Sequence, residues 1–161
     1  MLQVTVRKFK KSDTELIKRI TVLTFESVSI DFAMEKMFGK IGNTTWAERK
    51  LMVVENELRN NPSDVFVAVI DNKVVGYITT SLNRKTKIGF IHNLAVDPCQ
   101  QGKGIGKKLI KKAINHFRQQ KMEVAKIETL SHNIRGETLY KKLGFKEIVR
   151  QIHLAMSLVG K

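Results

Sequence analysis

The sequence predicts an α/β domain with a mixed, mostly antiparallel central sheet flanked by helices. Three observations predict it. Apolar, β-branched runs crowd the middle of the chain, amphipathic helical stretches precede and follow them, and strand and helix patterns keep alternating towards the carboxyl end. The 161 residues are expected to form one domain, residues 1–161, large enough for a hydrophobic core.

The elements follow in order. "QVTVRKF" (Gln3–Phe9) alternates apolar and polar residues, with Val4 and Val6 on one side and Phe9 across the face, and reads as a first strand. Ser12 and Glu15 fit a capping box ahead of Leu16, Ile17, Ile20 and Leu23 at helical spacing. From Ser27 to Asn43, Phe32, Met34, Met37 and Phe38 precede a break at Gly39, which reads as a short helix and a loop. Thr45 and Glu48 form a second capping box, and the helix beyond it carries Trp46, Leu51, Val54 and Leu58 and stops before Pro62. "DVFVAVI" and "VVGYITTS" are strands joined by a hairpin at Asp71-Asn72-Lys73. "KIGFIHNLAV" (Lys87–Val96) is a third run, ended by Asp97-Pro98. A glycine loop follows, then a helix with Ile105, Leu109, Ala113, Ile114 and Phe117 on one stripe. Lys107, Lys108, Lys111, Lys112 and Arg118 lie largely off it. "VAKIETL" is a strand, Ile134–Leu143 a short helix, and "FKEIVRQIHLAMSL" a closing pair of strands. The predicted order is β-α-α-β-β-β-α-β-α-β-β.

Composition narrows the function classes. Apolar residues make up 42% of the chain and prolines number two, which excludes a disordered segment. No apolar run approaches the ~18 residues of a membrane span, and "MLQVTVRKFKK" lacks the apolar core of a signal peptide. Cys99 is the single cysteine, so an internal disulfide is impossible, and no metal site is expected. These features predict a soluble, cytoplasmic protein. The charge stands out: 29 Lys+Arg against 15 Asp+Glu give +14, which points to an anionic ligand or surface. A nucleic-acid reading draws on that charge, but aromatics are 7% and no basic-aromatic interleaving is present, so only weak, non-specific nucleic-acid binding is expected.

The loop between strand and lysine-rich helix, "DPCQQGKGIGKK", sets glycine at 102, 104 and 106. A glycine inside a structured element costs about 1 kcal/mol relative to alanine, so three in a row of alternate positions mark backbone freedom or the close approach of another molecule. A strand, glycines and a helix start make an anion site: the first amides of the helix lack acceptors, and the dipole favours negative charge there. Lys103 and Lys107 add positive charge. The Walker pattern fails on spacing, and a dinucleotide G-x-G-x-x-G turn fails because Lys107 stands three residues after Gly104.

"LAVDPCQQGKGIGKKLI" resembles the acetyl-coenzyme A motif of the GCN5-related N-acetyltransferases, Q/R-x-x-G-x-G/A, here Gln101-x-x-Gly104-x-Gly106. "NIRGETLYKKLGF" (Asn133–Phe145) resembles that family's N-x-x-A-x-x-L-Y-x-x-x-G-F, with Gly136 where alanine is usual. The resemblance implies a fold in which acetyl-CoA lies between two parallel strands that splay apart, here Ile88–Val96 and Val124–Thr129. It implies that the backbone of Leu94, Ala95 and Val96 faces the acetyl-pantetheine arm. The amides of Gln101, Gly102, Lys103, Gly104, Ile105, Gly106 and Lys107 would hold the pyrophosphate. Asn133 corresponds to an asparagine that binds the pantetheine arm, and Tyr140 to a tyrosine near the thioester sulfur. A homodimer is compatible with the family.

Acetyl transfer to an amine needs a deprotonated amine, a donor for the oxyanion and an acid for the departing thiolate. Tyr140 is the candidate acid, since a phenol is protonated at neutral pH. His92 is the candidate base, acting through water. It stands two residues before Leu94, which by the period of a strand puts both on one face, and histidine ordinarily titrates near neutrality. A histidine that only shapes the cleft is the competing reading. Cys99, His132 and His116 read as loop or solvated positions. Glu26, Asp31 and Glu35 fall in the region that covers the acceptor in the family, and Tyr77 reads equally as pocket lining or as core. The resulting function is an acetyl-CoA-dependent N-acetyltransferase acting on an amine of a small molecule or protein. A catalytically silent acyl-CoA binder or a basic RNA- or ribosome-associated protein is the alternative.

Overall fold

Both ends of β2 (Val65–Ile70) are buried, and so is every residue between, because the strand has a covered face on each side. Phe66, Ala68 and Ile70 join one apolar cluster, while Val65, Val67 and Val69 join another. The computed structural model describes residues 3–159 and places β2 second in one sheet of five strands. The others are β1 (Thr5–Lys8), β3 (Lys73–Asn83), β4 (Ile88–Val96) and β5 (Val124–Ile127), ordered β1-β2-β3-β4-β5. The first three pairings are antiparallel and β4–β5 is parallel, so the predicted fold class holds.

Helices cover both faces. On one, α1 (Thr14–Phe25) and α3 (Trp46–Asn60) bring Ile17, Ile20, Val54 and Leu58 against Val67, Tyr77 and Ala95. On the other, α4 (Ile105–Gln119) crosses from β4 to β5 and buries Ile105, Leu109, Ile110, Ala113 and Phe117. Fully burying side chains of this size contributes about 1.5–3 kcal/mol each. The short α2 (Ile30–Phe38) packs against α3, and α5 (Ile134–Lys142) follows β5. The predicted hairpin is present, with positive φ at Asp71 (46°) and Asn72 (62°), as a two-residue turn requires. The Thr45–Glu48 capping box also forms, Thr45 Oγ1 accepting from the Glu48 amide at 3.3 Å and Glu48 Oε2 from the Thr45 amide at 2.7 Å.

Four expectations are corrected. Ser12 and Glu15 do not cap α1; a short 3₁₀ turn (Lys11–Asp13) comes first. The carboxylate of Asp13 accepts the Lys10 amide at 2.8 Å and pairs with Arg7 at 2.7 Å, so the helical segment is capped at Lys10, two residues before Ser12. His116 is buried rather than solvated, because it lies on the inner face of α4 with Nε2 2.8 Å from Asp64 Oδ1. β5 ends at Ile127, short of the predicted Leu130, because the chain turns away from β4 there.

The closing pair of strands is absent: residues 145–158 form no strand. An alternating pattern records the capacity to pair, and pairing needs a free edge in reach. The neighbouring edge, β5, is four residues long, and the tail is instead held to α5, where Arg150 meets Glu137 at 3.4 Å and Glu147 meets Lys141 at 3.9 Å. Ile152, Leu154, Met156 and Leu158 are therefore 76–91% exposed.

Candidate active site

β4 pairs with β5 only from Ile88 to Ile91, against Val124 to Ile127, and beyond that point the two strands part. A bulge sits at the same place. Thr79 pairs with Asn93 and Thr80 with Ile91, which leaves His92 as an extra residue without an opposite number. The extra residue reverses the alternation. Ile91 and Leu94 both pack into the cluster beneath α4, whereas His92 stacks on Phe90 and hydrogen-bonds Ser81 Oγ at 2.7 Å. His92 and Leu94 thus occupy opposite faces, contrary to the simple period of two.

Between the parted strands lies a cleft of about 650 Å³. Its walls include His92, Asn93 and Leu94 from β4, Glu128 to Asn133 after β5, and Tyr140 from α5. Thr24, Phe25 and Lys50 close it from the α1–α3 side. Gln101 Nε2 donates to the Val96 carbonyl at 3.0 Å, so Val96 points its backbone away from β3 and, two residues back, Leu94 offers the same edge to the cleft.

The glycine loop stands at one end of this edge. Gly102 (φ +82°) and Gly104 (φ +77°) adopt left-handed backbone, and Gly104 caps the N-terminus of α4. The amides from Gly102 to Lys107 reach no backbone acceptor, and Lys103 and Lys107 are exposed beside them. Gly106 answers to packing: a Cβ there would lie 3.3 Å from Leu139 Cδ2 on α5. The loop is a cradle of unsatisfied donors with added cations, which fits a pyrophosphate.

At the other end, Tyr140 rests on Phe145 and its hydroxyl has no hydrogen-bond partner among the described residues; since no buried polar side-chain atom is left unpaired among them, that hydroxyl opens on the cleft. Burial of the ring pushes its pKa up to about 12. Asn133 caps α5, its Oδ1 accepting from the Gly136 amide at 3.1 Å and its Nδ2 donating to Thr129 Oγ1 at 3.0 Å. Gly136 leaves room for that cap, because a Cβ would come within 2.6 Å of Asn133 Nδ2. Arg135, which the motif did not single out, donates to Gln101 Oε1 and ties α5 to the loop.

The other sequence candidates are already engaged or lie outside the cleft. Tyr77 is fully buried core, bonded to Thr21 Oγ1 at 2.6 Å. Asp31 and Glu35 are engaged by Arg49, at 3.3 and 3.4 Å. Cys99 is exposed, and His132 donates to the Ser27 carbonyl at 2.7 Å, joining the two rims of the cleft. Lys50 was not singled out by sequence reasoning; on α3 it reads like any other helical lysine. Its Nζ nevertheless reaches 2.5 Å from Asn93 Oδ1 at the cleft wall.

The family model for the acetyltransferase (GNAT) family matches residues 30–145, most of the chain and the whole of the cleft's strands and loop. The chain belongs to this family. An uncharacterised N-acetyltransferase of Methanocaldococcus jannaschii is 30% identical over 95 residues, which is 56% of this chain and 42% of that protein. A mycothiol acetyltransferase of Streptomyces griseus is 27% identical over 85 residues, 53% of this chain and 28% of that protein. The chain therefore spans less than half the length of either relative. The PaiA N-acetyltransferase of Thermoplasma acidophilum, solved in complex with coenzyme A, shares the fold at a TM-score of 0.72, with 19% identity and coverage of 90% of this chain and 91% of that one. Among the described residues no helix is long and apolar enough to cross a membrane.

Proposed function

We propose that this GNAT protein transfers the acetyl group of acetyl-CoA to a primary amine by direct attack in a ternary complex. Residues 1–161 act as one catalytic domain in the cytoplasm. The observation that carries the reading is that one strand joins both features: the unpaired amides of residues 102–107 follow the end of β4, and the Tyr140 hydroxyl lies on the cleft that β4 borders. Bound there, acetyl-CoA supplies a thioester as the acyl donor. The Gln101 amide already meets the Pro98 carbonyl at 3.4 Å, so the amides from Gly102 to Lys107 would hold its pyrophosphate, the β4 backbone from Leu94 to Val96 would hold the pantetheine arm beside Asn133, and a β4 amide would polarise the thioester carbonyl. Tyr140 gives its proton to the departing thiolate. His92, exposed on the cleft wall, takes a proton from the acceptor ammonium through water.

The test of the cradle is thermal. Acetyl-CoA at about 100 times its Kd should stabilise the fold by roughly 2.7 kcal/mol. At about 2–4 °C per kcal/mol for a chain of this size, Tm should rise by about 5–11 °C. Pantetheine without phosphates should raise it far less, and a Tm unmoved by acetyl-CoA would remove the proposed site. The role of His92 is read from pH. His92→Ala should be slow at neutral pH and recover towards the wild-type rate at high pH, where the amine deprotonates unaided. Overlapping profiles would leave His92 a wall residue.

A further inference from the structure

The cleft is lined by carboxylates that the protein already satisfies. Asp31 meets Arg49 at 3.3 Å, Glu128 meets Lys126 at 2.7 Å, Glu137 meets Lys141 at 2.6 Å, and Glu147 meets Arg150 at 2.8 Å. Lys50 is the opposite case. Its ammonium is half-buried in the same wall and pairs with no carboxylate among the described residues.

What it touches is neutral. Nζ lies 2.5 Å from Asn93 Oδ1 and 4.3 Å from the centre of the Phe25 ring. The amide of Asn93 is held in that orientation from behind. Its Nδ2 donates to Glu57 Oε2 at 2.5 Å and to Thr79 Oγ1 at 3.0 Å, which turns Oδ1 towards Lys50. Thr79 Oγ1 in turn donates to Glu57 Oε2 at 2.6 Å. The Glu57 carboxylate therefore stands one residue away from the ammonium, screened by the side chain of Asn93. Burial lowers the pKa of Lys50, and only the more distant charges of Glu57 and Asp31 oppose that shift. An ammonium has three donors, and Asn93 takes one. A half-buried cation with spare donors and no counter-ion gains most from an anion brought by a ligand.

We infer that Lys50 binds a carboxylate carried by the acceptor, so that the substrate of this cleft is an amine-bearing carboxylic acid such as a free amino acid. The inference rests on the acetyltransferase reading and narrows it. Lys50 also repels a protonated amine, so the acceptor enters acid end towards α3 with its amine away from Lys50. Polyamines, which bring no anion, are disfavoured.

The test uses the full chain, acetyl-CoA and release of free thiol. The acceptors are the twenty amino acids, the α-amide of each, and spermidine. At least one amino acid should be acetylated with kcat/KM about tenfold or more above its amide, and spermidine should be poor. Lys50→Gln keeps a partner for Asn93 and should erase the preference by raising KM for the acid, while Lys50→Arg should retain it. A wild type that prefers amides or spermidine, accepts no amino acid, or keeps its preference in Lys50→Gln would overturn the inference. The Tm rise with acetyl-CoA separates the two levels. Its presence alongside any of those outcomes sinks the assignment of Lys50 alone, and its absence sinks the site as a whole.

Discussion

Tyr140→Phe should lower the acetyl-transfer rate by about 10²–10⁴-fold while leaving the Kd of acetyl-CoA close to its wild-type value. The substitution keeps the ring that packs on Phe145 and removes only a hydroxyl that no group among the described residues binds, so the packing of the ring loses no contact. The lost rate is the proton the thiolate needs. Burial raises the phenol to about 12, so the folded protein keeps it protonated up to that pH, whereas in the unfolded chain it ionises near 10. This raised value favours the protonated fold. Its contribution to stability is intact below pH ~10 and is lost as the pH rises from there towards 12. No alkaline fall in rate assignable to Tyr140 should therefore appear between pH 7 and 10. Stopped thiol-release assays on both proteins across that range measure it. A Tyr140→Phe protein at full speed would leave the leaving group to solvent and move the chain towards the silent-binder alternative.

The second large effect is on stability and needs one methyl group. Gly89→Ala should destabilise the fold by about 1–3 kcal/mol. That lowers Tm by about 2–12 °C at this chain length. Gly89 lies on β4 directly over Phe117, and a Cβ there would come within 2.7 Å of the ring. Phe117 is 2% exposed and cannot swing outward, so either the ring is displaced from the core beneath α4 or β4 shifts. Gly89 pairs with Ala125, so a shift of β4 also disturbs the pair of strands whose parting makes the cleft. Thermal unfolding of Gly89→Ala, Phe117→Leu and the double variant decides between steric and other causes. The double variant should lose less than the two single losses added together. Simple addition would place the damage elsewhere.

These residues also mark what a sequence can disclose. The open backbone of the glycine loop was legible because its causes are local: glycines at 102 and 104 act on their own backbone, and the amides they free are those of a helix start. The buried run of β2 and the Thr45–Glu48 cap were legible for the same reason. His116 was not, since its burial depends on Asp64, which is 52 residues away in the chain. The bulge at His92 was not, because register belongs to two strands and cannot be read from either one. The tail kept its alternating pattern and lacked a partner, so a pattern that was read correctly gave strands that did not form. Lys50 shows the limit most plainly. Nothing in its own helix distinguishes it; the carboxylates paired elsewhere and the amide of Asn93 do.

The extra residue in β4 has a meaning of its own if the sheet is regarded as a small crystal. A row that holds one unit more than its neighbour is a dislocation, and the lattice opens at its core. Here the last β4–β5 pair, Ile91 with Ile127, and the unmatched His92 are adjacent, so the opening and the surplus coincide. Such a defect is set by a count of units rather than by their identity. Exchanging His92 for another side chain changes the chemistry at the opening and leaves the opening in place. Removing the residue altogether would let β3 and β4 match again, and the residues after it would return to the alternation that Ile88 to Ile91 begin.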